Sequence, residues 1–129
     1  MPIRSAHRAI HTILIADPEL PTRIGLHTIL AAEPGLNVRP PVSSVTELLA
    51  EVDRCQPALV LMGTRLSDGD GIETCRVLLS RCPALRIVFV ANAASAQLLL
   101  HAVQAGATGF ILKTNHPSRL SVVVAQVFD

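Results

Sequence analysis

The chain has 129 residues, half of them hydrophobic, and a formal net charge of +1. This length favours one domain with its own core, and the near-neutral charge argues against a general affinity for nucleic acid or for acidic substrates. No apolar run approaches the ~20 residues of a membrane span, no secretory signal opens the chain, and the three cysteines form no C-x-x-C pair, so we expect a cytoplasmic protein with reduced thiols.

Short apolar runs alternate with longer helical patterns along the chain. Residues 1–11 are predicted to form a flexible tail, and residues 12–129 a single domain. Within that domain, strands are predicted at 12–16, 36–40, 58–62, 86–91 and 109–112, and helices at 19–33, 44–55, 71–81, 95–105 and 118–128. Several strands are apolar on consecutive residues, which is typical of parallel strands covered on both faces. Five such βα units predict a doubly wound, three-layer α/β/α domain.

The third apolar run leads directly into Gly63, within the segment LVLMGTRLSDGDG at residues 59–71. In an α/β sheet, ligand sites lie outside the carboxyl ends of the strands, so a glycine there leaves the site without a side chain. The chain also has no glycine-rich phosphate loop after the first strand, no metal-ligand spacing among its histidines, and no Ser/His/Asp or Cys/His arrangement. These patterns predict a protein that is neither an enzyme nor a metalloprotein.

Four segments carry a family resemblance: ILIADPELPTRIGLHTILAAEPGL, PALVLMGTRLSDGDGIE, PALRIVFVANA and AVQAGATGFILK. Together they resemble the receiver domain of bacterial response regulators, with the flavour of the NarL/LuxR-like subfamily, and the match is nearly gapless from about residue 12 to the end. The resemblance implies a flavodoxin-like, five-stranded parallel sheet of order 2-1-3-4-5. It also implies an active site at the carboxyl ends of the first, third and fifth strands.

A receiver that accepts phosphate uses two acids for Mg²⁺, an aspartate nucleophile, a Ser or Thr, and a lysine that neutralises developing charge. Position by position, the resemblance matches Asp17 to one acid and Lys113 to the lysine. It puts Pro18 in place of the second acid, Gly63 in place of the nucleophile and Ala91 in place of the hydroxyl residue. We therefore expect a vestigial phosphorylation site, no cofactor, and Mg²⁺ binding that is lost or very weak.

Other polar residues near this site have simpler predicted roles. Asp17 and Lys113 are expected to form an ion pair, while Glu19 could turn inward beside Asp17. Asp70 precedes the third predicted helix and is expected to cap it. The resemblance places Phe110 at the position of the aromatic residue that reports movement of the hydroxyl.

The fourth predicted helix lies in a stretch, Ile87 to Leu112, that contains no Asp, Glu, Lys or Arg. Its polar residues form one stripe, and the helical period turns Ala96, Leu99 and Val103 toward the sheet, which leaves Leu98 and Leu100 outside the arc needed for core packing. The fifth helix is apolar over more of its circumference than one buried stripe requires. We therefore predict an interface that contains Leu98, Leu100, His101, Phe110, Val123 and Val127.

Two functions follow from these patterns. The first is a non-phosphorylatable pseudo-receiver that acts in signal transduction and transcription regulation through protein–protein contacts, with constitutive homodimerisation through the fourth helix, fifth strand and fifth helix. An output domain or partner protein is expected, and DNA would be bound only by a domain absent from this chain. The alternative is a flavodoxin-like domain that senses a small molecule at the vestigial cleft. Neither function involves a membrane.

Overall fold

A computed structural model describes residues 10–129 and contains one five-stranded parallel sheet in the order β2-β1-β3-β4-β5. The strands are β1 His11–Ala16, β2 Leu36–Val38, β3 Leu59–Gly63, β4 Arg86–Ala91 and β5 Gly109–Leu112. The helices are α1 Leu20–Ala31, α2 Val45–Cys55, α3 Gly71–Arg81, α4 Ala96–Gln104 and α5 Pro117–Val127. The predicted sheet order and the alternation of strands and helices are confirmed.

Element ends differ from the prediction by a few residues. His11 already pairs with Leu36, so β1 begins one residue earlier than predicted. Strand β2 ends at Val38 rather than at residue 40, because Pro40 and Pro41 have no N–H to donate to a ladder. Apart from the end at Ile10 and His11, the predicted flexible tail lies outside the described residues.

The core has two parts, one on each face of the sheet. Helices α2, α3 and α4 cover one face and bury Leu48, Cys75 and Ala102 against the sheet. Helices α1 and α5 cover the other, where Leu30 and Leu120 meet the opposite side chains of the same strands. Strands β1, β3 and β4 are thus covered on both sides, which explains their continuous apolar sequences.

The β3–α3 connection forms a short hairpin and is hydrogen-bonded to the start of α2. A minimal antiparallel hairpin pairs Arg65–Leu66 with Gly69–Asp70. Asp68 accepts hydrogen bonds from Val45 N at 2.5 Å and Thr46 Oγ1 at 2.8 Å, and so satisfies donors in the first turn of α2. Asp70 accepts from Ile72 N at 2.8 Å, which confirms its predicted role as the cap of α3.

Helix α4 presents a different face to the sheet from the one predicted. Ala102 is only 2% exposed and Leu98 is half-buried against the core, whereas Leu99 is 41%, Leu100 54% and Val103 70% exposed. The predictions that Leu99 and Val103 face the sheet, and that Leu98 lies outside the core arc, were therefore wrong. Ala96, also expected to point inward, is exposed. The residues that face the core, Leu98, Ala102 and Ala105, follow the helical i, i+4, i+7 spacing.

Candidate functional site

The carboxyl ends of the central strands converge on one cleft with a volume of about 320 Å³. Strand pairing brings the ends into line, since Ala16 pairs with Met62 and Gly63 pairs with Val90. The cleft collects all five residues predicted for the vestigial site: Asp17, Pro18, Gly63, Ala91 and Lys113. Phe110 lies on β5 and packs against the core rather than lining the cleft.

Lys113 holds two carboxylates together at the floor of the cleft. Its Nζ donates to Asp17 Oδ1 at 3.2 Å and lies 3.1 Å from Asp17 Oδ2, without the alignment of a hydrogen bond to the second oxygen. The same Nζ donates to Glu19 Oε1 at 2.5 Å. Asp17 is fully buried, while the Glu19 side chain is 52% exposed. The expected Asp17–Lys113 pair is present, and Glu19 makes it a triad.

Contacts within the triad shift the pKa values of Glu19 and Lys113. A hydrogen bond from Lys113, reinforced by its charge, lowers the pKa of Glu19 below its ordinary value. Burial opposes the charge on Lys113, but its hydrogen bonds to Glu19 and Asp17 outweigh this effect, so the pKa of Lys113 is raised. Both groups are therefore charged at neutral pH. The Asp17 backbone is also held in place, because its carbonyl oxygen accepts a hydrogen bond from Arg23 Nη1 at 2.8 Å.

The end of β3 leaves no room for a side chain. A Cβ atom at position 63 would lie 2.8 Å from the Arg65 carbonyl oxygen and 3.1 Å from Asp17 Oδ2. Contacts of a real Cβ atom below 3.0 Å are essentially never found, and the Arg65 oxygen belongs to the backbone of the hairpin. Gly71 approaches from the other side, where a Cβ atom would collide with the Gly63 carbonyl oxygen. The β3–α3 connection thus packs against the strand end backbone to backbone.

The cleft offers ionic contacts and hydrogen bonds through Asp17, Glu19 and Lys113. Neither Gly63 nor Ala91 offers a nucleophile or a hydroxyl group. Mg²⁺ prefers several oxygen ligands, but both carboxylates of the cleft, Asp17 and Glu19, already neutralise Lys113, so the donor set fits this ion poorly. Within residues 10–129, no group of three or more His, Cys, Asp or Glu side chains is placed to hold a metal ion.

Sequence reasoning missed three residues that shape the cleft. Arg65 contributes the carbonyl oxygen that crowds Gly63, and Thr64 and Asn92 line the opening. The contribution of Arg65 is a backbone atom positioned by the hairpin, so no side-chain pattern could reveal it. Asn92 directly follows β4, a position where a polar residue after an apolar strand is a usable signal.

The predicted interface residues are exposed to different degrees. Leu100 and His101 are exposed on α4, whereas Leu98, Phe110, Val123 and Val127 are half-buried against the core. Other apolar side chains are exposed close by in sequence: Leu99, Val103 and, on α5, Val122 at 51%. The uncovered apolar surface is therefore composed largely of residues outside the predicted set.

Comparison with known proteins identifies relatives over nearly the whole chain. A family model for the response regulator receiver domain matches residues 13–125. The DNA-binding transcriptional activator DevR/DosR of Mycobacterium tuberculosis is 37% identical over 118 residues, which cover 92% of this chain and 54% of that protein. The transcriptional activator protein ExaE of Pseudomonas putida is 35% identical over 116 residues, or 89% of this chain and 54% of that protein. The chain thus spans about half the length of these curated relatives.

Solved structures share the same fold at lower identity. A LuxR-family two-component response regulator from Aurantimonas sp. SI85-9A1 superposes with a TM-score of 0.85 at 24% identity, over 93% of this chain and 86% of that one. The signal receiver domain of the putative response regulator NarL from Mycobacterium tuberculosis gives 0.85 at 19% identity, over 93% and 98%. Within residues 10–129, no helix has the length and apolar character needed to cross a membrane.

Proposed function

The chain belongs to the response regulator receiver domain family of two-component signalling, and we propose that it is a pseudo-receiver that signals without accepting phosphate. The observation that carries this proposal is Gly63, which occupies the end of β3 in a space already filled by neighbouring atoms. Glycine has no side chain to attack phosphorus or to bind a metal. Relocation of the nucleophile is also disfavoured, because Asp68 and Asp70 are engaged in capping α2 and α3.

The rest of the cleft supports the same proposal. Ala91 supplies no hydroxyl for a phosphoryl oxygen, and Pro18 supplies no metal ligand. Lys113 is already neutralised by Asp17 and Glu19, so an incoming dianion would compete with two carboxylates for one ammonium group. We infer that Mg²⁺ binds weakly or not at all, and that the domain has no enzymatic role.

Signalling would then depend on a surface that binds its partner without a phosphorylation-induced change. The exposed apolar side chains of α4 and α5 are Leu99, Leu100, Val103 and Val122. Contiguous exposed apolar surface usually marks an interface, and the stretch Ile87 to Leu112 has no charged residue to oppose association. We propose that this face forms a homodimer. The curated relatives are transcriptional activators about twice as long, so DNA contact would come from an output domain rather than from this one.

The phosphorylation proposal is tested by intact-protein mass spectrometry after incubation with acetyl phosphate and Mg²⁺. We expect no mass increase corresponding to a phosphoryl group. A receiver domain with an aspartate at the end of its third strand, treated in parallel, provides the positive control. A stoichiometric, hydroxylamine-labile acyl phosphate on this chain would refute the proposal.

The dimer proposal is tested by sedimentation of a variant with Leu100→Glu and Val103→Glu. Both side chains are exposed, so a monomer should tolerate the charges, and we expect the dimer to dissociate with its circular dichroism unchanged. The matched control is Gln97→Glu with Gln104→Glu, which adds the same charge on the polar stripe of the same helix. Equal dissociation of both variants, or a wild type that is monomeric at high concentration, would contradict the assignment.

A second candidate function retains the cleft as a small-molecule sensor. Its volume of about 320 Å³ is sufficient for a small ligand, and Arg65, Thr64 and Asn92 offer polar groups at its opening. Native mass spectrometry distinguishes the two candidates, because a sensor should retain a co-purified mass that is lost when Asn92 is replaced by leucine. Protein without a bound mass, combined with dimerisation through α4, favours the pseudo-receiver.

A further inference from the structure

We propose that a separate pocket, between α1 and α5, binds a small amphiphilic carboxylate: a compound with an apolar chain or ring and one acidic head group. The pocket has a volume of about 290 Å³ and lies under the β5–α5 connection, on the side of the sheet covered by α1 and α5. This inference does not depend on whether the domain accepts phosphate.

The walls of the pocket are apolar and come from both layers. Leu26 and Ile29 contribute from α1, Ile111 from β5, Leu120 from α5 and Val90 from β4. The pocket is open to solvent on one side, so a ligand could enter it without a rearrangement of the core. Its size approaches that of typical small-ligand sites.

Gly25 borders the open space and places no side chain in it. It lies in the interior of α1, and a Cβ atom built there would have no heavy atom within 4 Å. The described glycines with a positive φ are Gly35 and Gly106, so the backbone of Gly25 does not require glycine. Glycine destabilises a helix interior relative to alanine, and here it does so where a side chain would project into free space. The residue therefore preserves the opening rather than the helix.

Lys113 is the residue that would bind the acidic head group of the ligand. It lines both this pocket and the cleft at the end of β3, and thus lies at the boundary between them. No Asp or Glu lines the pocket, whereas Lys113 and His116 do. The carboxylate of Glu19, bound to Nζ at 2.5 Å, shows that this ammonium group takes a carboxylate from its exposed side.

The Glu19 carboxylate is also displaceable. Its side chain is 52% exposed, so water can solvate the carboxylate when it leaves Lys113, whose own side chain is 14% exposed. Asp17 would stay in place, since it is fully buried and its carboxylate lies 3.1 Å from Lys113 Nζ. A ligand would insert its apolar part between α1 and α5 and extend past Lys113 into the neighbouring cleft, where its carboxylate would replace that of Glu19.

The test uses octanoate as the probe, with 1-octanol as the uncharged comparison, in calorimetric and amide NMR titrations. For octanoate we expect saturable binding, with the largest amide shifts at Gly25, Ile111 and Leu120. Gly25→Leu should fill the pocket and weaken octanoate binding by about tenfold or more. Gly25→Ala, which suits a helix better than glycine, should weaken it in the same direction and guards against a folding failure of the larger variant. 1-Octanol should bind more weakly than octanoate.

Glu19→Gln provides the second arm, because it removes the internal competitor for Lys113. We expect octanoate affinity to rise by about threefold, the range of a surface ion pair. Glu33→Gln, an exposed residue that is not part of the triad, is the matched control and should change nothing. Three outcomes would overturn the inference: unchanged binding in both Gly25 variants, equal affinity for octanoate and 1-octanol, or loss of binding on Leu100→Gln, which would move the site to α4.

Discussion

Substitution of Gly63 separates the steric and electrostatic constraints at the end of β3. In Gly63→Ala, the new Cβ atom would lie 2.8 Å from the Arg65 carbonyl oxygen, so either the hairpin or the strand must shift. Forcing extra atoms into a packed site costs about 1–3 kcal/mol, and we expect the free energy of unfolding to fall by that amount.

Gly63→Asp combines the same steric displacement with a new negative charge. The new carboxylate would face the buried Asp17, and two like charges about 4 Å apart repel by roughly 4 kcal/mol at an effective dielectric near 20. Attraction to Lys113 and water in the cleft offset part of this repulsion, so Gly63→Asp should cost about 2 kcal/mol more than Gly63→Ala. In an Asp17→Asn background, that additional cost should largely disappear.

Urea denaturation at neutral pH measures both differences, provided that the denaturant slope stays constant across the variants. A Gly63→Ala variant with the wild-type midpoint would show that the strand end has room, and the steric account would fail. A Gly63→Asp variant no less stable than Gly63→Ala would refute the electrostatic account. Gly63→Asp should also remain a poor phosphate acceptor, because Pro18 and Ala91 are unchanged; efficient labelling by acetyl phosphate would contradict this.

Three further predictions concern parts of the fold away from Gly63. Gly25→Ala should raise the free energy of unfolding by about 1 kcal/mol, measured in urea, because the added methyl group meets nothing within 4 Å. Asp68→Ala should lower the unfolding midpoint at neutral pH. Since hydrogen bonds from Thr46 and Val45 lower the pKa of Asp68, the difference from wild type should vanish as the pH falls through that lowered value. Burial raises the pKa of the Cys75 thiol from 9.0 to about 11, so stability present below pH 9 should decline by roughly 2–3 kcal/mol as the pH rises to 11, and Cys75→Ala should flatten this alkaline slope.

The sheet was predictable because each central strand can be recognised from its own short segment of sequence. A run such as Leu59–Met62 is apolar without interruption, and this pattern has few explanations other than a parallel strand covered on both faces. Helix α4 was less predictable for the opposite reason. Nearly every position in it is apolar, so the helical period alone cannot select a buried face. The side that meets the core carries Leu98 and Ala102, while the equally apolar Leu99, Leu100 and Val103 stay exposed.

The candidate site also has a part that the sequence predicts and a part that it does not. Asp17 and Lys113 follow strands that end at the same edge of the sheet, so their contact could be expected from topology. Glu19 was recognised as a residue that could turn inward, but its hydrogen bond with Lys113 could not be predicted from the sequence. The capping of α2 by Asp68 joins residues 23 positions apart through a hairpin, and no local pattern encodes it.

The uncharged surface of α4 determines how any contact made through it responds to its surroundings. Between Ile87 and Leu112 there is no Asp, Glu, Lys or Arg. Screening by ordinary salt acts on charges, so dilute sodium chloride should hardly affect the strength of such a contact. Apolar contacts weaken on cooling and strengthen in sulfate or phosphate, because hydration of apolar surface changes with temperature and with excluded salts. Cooling should therefore weaken the proposed homodimer, and concentrated sulfate should strengthen it.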